Sequence, residues 1–166
     1  MHVEGTSVNP AADWNLCPYC TDPIDGRTFS KYTGSDYDTL QTEDDAAASQ
    51  FTSYRMPTQE DFQELINETD NDWTSINGVQ GWKFTNKLDS SKYIFLPMGG
   101  NCVNDLLNGE GMHGNYWASS LIENGSSTAY RLNIKPAVTM GSFTFPATID
   151  ISTVERKDGH NVRPVY

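Results

Sequence analysis

The fold is set by one stretch, Arg55-Met-Pro-Thr-Gln-Glu-Asp-Phe-Gln-Glu-Leu-Ile66. Thr58 is a natural helix N-cap, and Asp61 stands at the capping-box position three residues later. Three apolar residues follow at the spacing of one helix face: Phe62, Leu65 and Ile66. The pattern predicts an amphipathic helix within residues 55–70 whose apolar stripe faces a core, with a solvated acidic face opposite.

A second short helix is predicted just upstream, in Thr42-Glu-Asp-Asp-Ala-Ala-Ala-Ser-Gln-Phe51. Thr42 can cap this helix, the acidic residues occupy its first turn, and alanine has the highest helix propensity. Residues 1–41 are polar, acidic and rich in turn residues. They are expected to be mostly loops.

Downstream of the helix the hydrophobic period changes to two, and turn signals such as Asn77-Gly78 separate short apolar runs. In Tyr130-Arg-Leu-Asn-Ile134 the first, third and fifth side chains are expected to point one way, and Arg131 and Asn133 the other. Two helices followed by five or six strands indicate an α+β fold. The predicted strands are Trp82-Lys-Phe-Thr, Tyr93-Ile-Phe-Leu-Pro, Tyr116-Trp-Ala-Ser-Ser, Tyr130-Arg-Leu-Asn-Ile, Ser142-Phe-Thr-Phe and Asn161-Val-Arg-Pro-Val.

Charge excludes some classes of partner. The 166 residues carry a net charge of −11, from 11 basic and 22 acidic side chains. Residues 1–80 hold three basic and fifteen acidic residues, a net of −12, whereas residues 81–166 are close to neutral. A protein that tracks a phosphate backbone needs a basic footprint, so no nucleic-acid partner is expected, nor docking on anionic lipid.

No apolar run approaches the roughly 20 residues of a bilayer span, so no membrane insertion is expected. The first residues, Met-His-Val-Glu-Gly, lack the basic and apolar regions of a signal peptide. A mature fragment of an exported protein would look the same, so export stays open.

Three cysteines, Cys17, Cys20 and Cys102, leave several interpretations open. Cys17-Pro-Tyr-Cys20 has the spacing of a redox dithiol, but the turn residues that follow cannot open the long helix such a motif requires. A zinc site would need further ligands, with Cys102, His113 and His160 as the candidates. The favoured interpretation is that Cys17 and Cys20 form a local disulfide or remain two thiols near a loop, and that Cys102 is buried and inert.

No catalytic motif is present, and neither a metal nor an organic cofactor is expected. A nucleophile pair of Cys102 with a histidine has no supporting spacing. Asp70-Asn-Asp72 resembles the start of a calcium loop but lacks its later glycine and glutamate, so a capped helix end is expected there.

Seven strings, in order over about residues 40–166, resemble the Fibrobacter major paralogous domain family (FISUMP), common in surface proteins of gut anaerobes. They are Glu43-Asp-Asp-Ala-Ala-Ala, Tyr54-Arg-Met-Pro-Thr-Gln-Glu-Asp-Phe-Gln-Glu-Leu-Ile, Trp73-Thr-Ser-Ile-Asn-Gly-Val-Gln-Gly-Trp-Lys-Phe-Thr, Ile94-Phe-Leu-Pro-Met-Gly-Gly, Gly114-Asn-Tyr-Trp-Ala-Ser-Ser, Ala129-Tyr-Arg-Leu and Gly159-His-Asn-Val-Arg-Pro-Val.

The resemblance implies a single C-type-lectin-like domain over residues 1–166, with residues 1–41 as its loop-rich acidic part and 42–166 as the best match. Two helices would pack on a small twisted antiparallel sheet with long loops. The implied core and scaffold residues are Trp73, Trp82, Phe95, Leu96 and Trp117. The Glu-Pro-Asn and Trp-Asn-Asp strings of calcium-dependent lectins are missing, so calcium-dependent sugar binding is not expected.

The same fold and C-terminal string occur in variable proteins of diversity-generating retroelements, which vary surface positions on a constant scaffold. By this resemblance the ligand-binding residues are Asn115, Tyr116, Glu123, Asn124, Ser126, Ser127, Arg131, Asn133, Arg156, Lys157, Asp158 and His160. All but Tyr116 are also implied to be the diversified positions. Outward strand residues can change while inward ones hold the core, and such polar side chains suit adaptable recognition. The alternative interpretation is an ordinary solvated surface.

The function implied is a non-enzymatic binding or adhesion module, displayed outside the cell on a cell or phage surface, whose ligand is a protein or glycan. One alternative is a structural or spacer domain of a larger surface protein. Another is an oxidase similar to the formylglycine-generating enzymes, which share the broad fold and use paired cysteines, but late in the chain.

Overall fold

The computed structural model describes residues 19–21, 28–34, 37–103, 106–122 and 127–166. These residues form small antiparallel sheets and one short helix, which confirms the α+β class. The elements are α1 (Gln59–Glu68), β1 (Thr69–Ile76), β2 (Val79–Asn86), β3 (Tyr93–Pro97), β4 (Asn101–Val103), β5 (Leu106–Asn108), β6 (Gly114–Trp117), β7 (Thr128–Lys135), β8 (Val138–Met140), β9 (Phe143–Phe145) and β10 (Thr148–Glu155).

Helix α1 begins where its capping residues predict. The Thr58 hydroxyl accepts a hydrogen bond from the Asp61 backbone N–H at 3.1 Å, and the Asp61 carboxylate accepts one from the Thr58 N–H at 2.7 Å. The same carboxylate pairs with the guanidinium of Arg55. Two of the orphan amides at the helix start are thereby satisfied. Phe62 is buried, so the predicted apolar stripe faces the core.

The second predicted helix is wrong: residues 42–51 form a succession of turns. Asp45 is the cause, because its buried carboxylate accepts hydrogen bonds from the backbone N–H groups of Ala47, Ala48 and Met56. A side chain that captures nearby amides competes with the helical ladder. Asp45 therefore ties this segment to the strand-like chain before α1.

Two three-stranded antiparallel sheets dominate the fold, ordered β1-β2-β3 and β10-β7-β6, beside the two hairpins β4-β5 and β8-β9. The predicted Asn77-Gly78 turn joins β1 to β2, and both residues have positive φ angles, of 51° and 81°. Positive angles at both central positions define the type I′ hairpin that Asn-Gly favours.

Strand β1 overturns two expectations from the sequence. Asp70-Asn-Asp72 does not cap a helix end, because the backbone is already extended at Thr69 and these residues pair with β2. Trp73, expected in the core, is 37% exposed and packs edge-on against Trp82, with ring centroids 6.2 Å apart. β1 is the outer strand of its sheet, so one side of it remains open to solvent.

The core lies where α1 meets strands of both three-stranded sheets. Phe84, Leu96, Leu132 and Ile134 are at most 1% exposed. Of the implied core residues, Trp82 and Leu96 are buried, whereas Phe95 and Trp117 are only partly so.

The final segment closes on the chain that leads into α1. The backbones of Arg55 and Val165 exchange two hydrogen bonds of 2.9 Å, and the hydroxyls of Tyr54 and Tyr166 lie 2.7 Å apart. The strand predicted over residues 161–165 is reduced to isolated bridges. This closure carries the C-terminal segment past β6, beside the residues implied to bind ligand.

Candidate functional site

One face of the β10-β7-β6 sheet is polar. Leu132 and Ile134 on β7 point into the core, so alternation places Arg131 and Asn133 on the other face. The strand register puts Asn133 between Asn115 and Asp150, and Arg131 between Trp117 and Ser152. We name these six residues the polar face: Asn115, Trp117, Arg131, Asn133, Asp150 and Ser152.

Asn115 is the centre of the polar face. Its Oδ1 accepts hydrogen bonds from Arg131 Nη1 at 2.8 Å and from Asn133 Nδ2 at 2.7 Å. Because a guanidinium can only donate, this end of the amide is its oxygen and the other end donates, over 2.8 Å, to His113 Nδ1. His113 is then the neutral tautomer with its proton on Nε2.

The turn after β10 lies at one end of the polar face. Arg156 N–H donates to the Ser127 carbonyl at 2.8 Å, and the Gly159 backbone exchanges hydrogen bonds with Cys102. His160 then stacks on Trp117, with ring centroids 4.1 Å apart. Among the described residues no hydrogen-bond partner meets either ring nitrogen of His160 or the Nε of Arg131, although these atoms are buried.

Burial sets the charges of this region. It lowers the pKa of His160 to about 4, and burial together with Lys135 and Arg131 lowers the pKa of His113. Burial also lowers the pKa of Arg131, against the attraction of nearby carboxylates. Asp158 has a raised pKa, because burial and the negative charge of Glu155 disfavour its ionised form. Both imidazoles are therefore neutral at pH 7, and the guanidinium supplies the cation.

A cavity of about 250 Å³ opens beside the polar face. Trp117 and Arg156 form part of its wall, and Tyr32 and Asp44 contribute from the upstream chain. The Arg156 guanidinium lies 4.0 Å above the Phe29 ring, which fixes the upstream segment against the turn after β10. Most of the cavity lining is apolar, with Leu40, Met56 and Leu121 among its residues, and the few charged and aromatic groups stand out against it, as in pockets that bind small ligands.

The structure brings the described members of the predicted site together on this sheet and its adjoining turn. Arg131, Lys157, Asp158 and His160 are partly exposed around the polar face, and Ser127 and Arg156 lie at the cavity end. The remaining predicted positions Glu123, Asn124 and Ser126 lie outside the described residues.

Three of the predicted ligand-binding residues are buried, and the outward position expected for Asn115 and Asn133 is wrong. Asn115 is 1% exposed and Asn133 is 5% exposed, because His113 and the segment around Asn161 cover this end of the polar face. Tyr116 is 4% exposed and points into the core, where its hydroxyl donates to the Pro97 carbonyl at 2.6 Å. These side chains support the face from within.

Sequence reasoning missed the contribution of four residues: Trp117, His113, Asp150 and Ser152. Trp117 was expected to be only scaffold, yet its ring borders the cavity and holds His160. The alternation of Ile149 and Ile151 with polar residues is a strand signal that could have found Asp150 and Ser152.

Within the described ranges no three His, Cys, Asp or Glu side chains are grouped so as to hold a metal ion. Cys17 lies outside the described residues, so the interpretations of the Cys17-Cys20 pair stay predictions. No helix in the described part of the chain has the length and apolar character to cross a membrane.

Comparison of the chain with protein-family models, with curated proteins and with solved structures gives no match. The polar face and its cavity are therefore the features of the chain that bear on its function.

Proposed function

We propose that the chain is a non-enzymatic ligand-binding or adhesion module of C-type-lectin-like fold, displayed outside the cell on a cell or virion surface. Its ligand is an extracellular protein or glycan. The binding surface is the polar face with the adjoining cavity and the turn of residues 156–160. The FISUMP and retroelement resemblance remains part of this proposal.

One observation carries the proposal. Three stretches far apart in sequence, residues 115–117, 127–133 and 156–160, converge around one sheet face and a cavity of about 250 Å³. The carboxylates of Asp150 and Asp158 attract the Arg131 guanidinium, so the face offers both hydrogen-bond donors and acceptors. Such a surface suits hydrogen bonding to hydroxyl or peptide groups.

The support beneath this surface is rigid. The Asn115 side chain uses both ends of its amide. Its backbone carbonyl accepts hydrogen bonds from the backbone N–H and the side chain of Asn161, each at 3.0 Å. Preorganised groups lose less freedom when a ligand binds. Exchanging the partly exposed side chains above this network would alter specificity with little effect on the core.

Glycan and secreted-protein arrays probed with the labelled chain test the proposal. We expect the chain to capture at least one ligand class, and the double variant Lys157→Ser/Asp158→Ser to weaken that capture by roughly tenfold or more. Lys92→Ser is the matched control, because Lys92 precedes β3 in the other sheet and is well exposed. No capture by the unmodified chain, or equal loss in the control, would favour the spacer alternative.

A further inference from the structure

A β-ribbon extends beyond the sheet that carries the polar face. β7 and β10 pair up to Lys135 and Thr148, and β8 pairs with β9 in the same register, with Val138 opposite Phe145. The two hairpins are thus one ribbon, whose ladder is interrupted where a proline occurs on each strand, at Pro136 and Pro146. We name residues 138–145 the arm.

The arm ends in a tight turn that fixes its register. Gly141 has a φ angle of 64°, and Ser142, the second residue of this two-residue loop, does not have a positive φ. A positive angle at the first central position alone is the type II′ hairpin turn, which favours glycine there. A defined turn makes the arm a regular two-stranded element.

The two faces of the arm differ sharply. Thr139 and Thr144 share one face, and their hydroxyl oxygens lie 3.1 Å apart. The other face is entirely apolar, and its side chains are strongly exposed: Val138 (43%), Met140 (66%), Phe143 (73%) and Phe145 (59%). Within the described residues no further strand pairs with β8 or β9, so their outer edges are open as well.

The arm carries no charged side chain, and this favours a second copy of the chain as the partner of its apolar face. Residues 136–149 contain no Asp, Glu, Lys or Arg, although the chain carries a net charge of −11. Natural sheets usually protect exposed edges with charged side chains, and the arm has none. Two copies of this negatively charged chain repel each other over much of their surfaces. At the arm they can meet without bringing like charges together.

We propose that the arms of two copies pack apolar face against apolar face in a two-fold symmetric homodimer. Large side chains present roughly 150–250 Å² each, so the four exposed ones offer about 350–600 Å² per copy. Two arms would bury at most about 700–1,200 Å², so all four side chains must pack closely to reach the roughly 1,000 Å² that a specific interface needs. Each copy contributes the same four-residue patch, so every contact occurs twice across the two-fold axis, as in an isologous interface.

Light scattering after size-exclusion chromatography tests this proposal on the full chain. We expect the unmodified protein at micromolar concentration to have twice the 18.5 kDa chain mass. The double variant Met140→Lys/Phe143→Lys should dissociate at roughly 100-fold or more higher concentration, because two central apolar contacts are replaced by like charges. Its circular dichroism should match that of the parent, since both sites are exposed, whereas its melting temperature should lose the dependence on protein concentration that a dimer shows.

Two controls separate the arm from other surfaces. Leu88→Lys changes a side chain that is 97% exposed between β2 and β3, and this variant should remain dimeric. Tyr93→Lys changes the rim of a separate groove of about 380 Å³ between α1 and β3, and it should also remain dimeric. Loss of the dimer in the Tyr93 variant would place the arm in a partner's groove and overturn arm-to-arm packing.

A monomeric parent, or a dimer that survives the double substitution, would overturn the proposal. Flotation of a monomeric parent with phosphatidylcholine vesicles, abolished by the double substitution, would assign the arm to a lipid surface instead.

Discussion

At the scale of single residues, Asn115 holds the candidate site together. It is 1% exposed, and its side chain joins Arg131, Asn133 and His113. In a buried polar network each lost hydrogen bond costs stability, because the group left behind cannot turn to water instead. Removing the amide would take this partner from the buried Asn133 and from the partly buried Arg131 and His113.

Asn115→Ala is therefore expected to lower the free energy of unfolding by about 2–4 kcal/mol. Urea unfolding followed by circular dichroism measures this change. Asn67→Ala is the matched control, because the Asn67 amide lies on the exposed side of α1, where its oxygen accepts a hydrogen bond from Gln63 in the same helix. The control should change stability by less than about 0.5 kcal/mol. Equal effects in both variants would show that the network does not stabilise the face.

His160 should make stability depend on pH. Burial lowers its pKa from 6.5 to about 4, so between these values the unfolded chain binds a proton that the folded chain does not. The free energy of unfolding should fall as pH falls through this range, by up to about 3 kcal/mol from His160 alone. NMR titration of the imidazole measures the midpoint directly, and a midpoint near 6.5 would contradict this prediction.

His160→Phe isolates the contribution of the imidazole. A phenyl ring can keep the stacking on Trp117 but does not titrate. Asp158 acts in the opposite direction, because burial raises its pKa, and it remains in both proteins. The pH-dependent part of the difference in free energy of unfolding between parent and variant should therefore disappear as the pH is raised from about 4 to 6.5, which leaves a constant offset at higher pH.

At the scale of elements, local chemistry made some predictions reliable. Thr58 and Asp61 specify the start of α1, and Asn77-Gly78 specifies the hairpin between β1 and β2, because each rule involves only neighbouring residues. The helix predicted from Thr42 was wrong because Asp45 bonds to Met56, eleven residues away. Propensity contains no information about such a contact.

Strand β1 was missed for a related reason. Its sequence Thr69-Asp-Asn-Asp72 is polar and has low β-propensity, and it is held in place by pairing with β2. The alternation of apolar and polar residues in β10 is typical of a strand. Its partner is β7, however, and the sequence of one strand does not show which strand it pairs with when a hairpin lies between the two.

Close packing between β2 and β3 gives a prediction at this scale. A Cβ added at Gly81 would lie 2.4 Å from the Leu96 carbonyl oxygen and 2.6 Å from the Phe95 ring. Gly81→Ala is therefore expected to lower the free energy of unfolding by about 2–3 kcal/mol. Thermal unfolding of the purified variant measures the loss.

Gly111→Ala serves as the comparison. Gly111 has open space around its Cα, so substitution there meets only the strain of its positive φ angle of 75°. The cost should be about 1 kcal/mol. A Gly81 variant as stable as the Gly111 variant would contradict the close approach of the two strands.

At the scale of the whole molecule, the candidate site depends on the meeting of distant segments. Arg131 and Asn133 could be assigned to one strand face from alternation alone. Alternation could not predict whether that face is exposed to solvent, because His113 and the C-terminal segment that returns past β6 cover part of it. Burial of Asn115 and Asn133 therefore required the three-dimensional structure.

The contrast between partly exposed and buried residues of the candidate site suggests which positions can vary. Ser127, Arg131, Lys157 and Asp158 lie partly exposed, and new side chains there would reach a ligand before they reached the core. Asn115 is enclosed by its hydrogen bonds and should tolerate little change. A surface selected for changing ligands should show this contrast in its natural sequence variation.

Deep sequencing of the codons for residues 110–166 across the source population is the most direct test of a variable binding surface. We expect replacements to cluster at Arg131, Lys157 and Asp158, with Asn115 and Leu132 constant. Replacements spread evenly and sparsely over these codons would contradict a diversified binding surface.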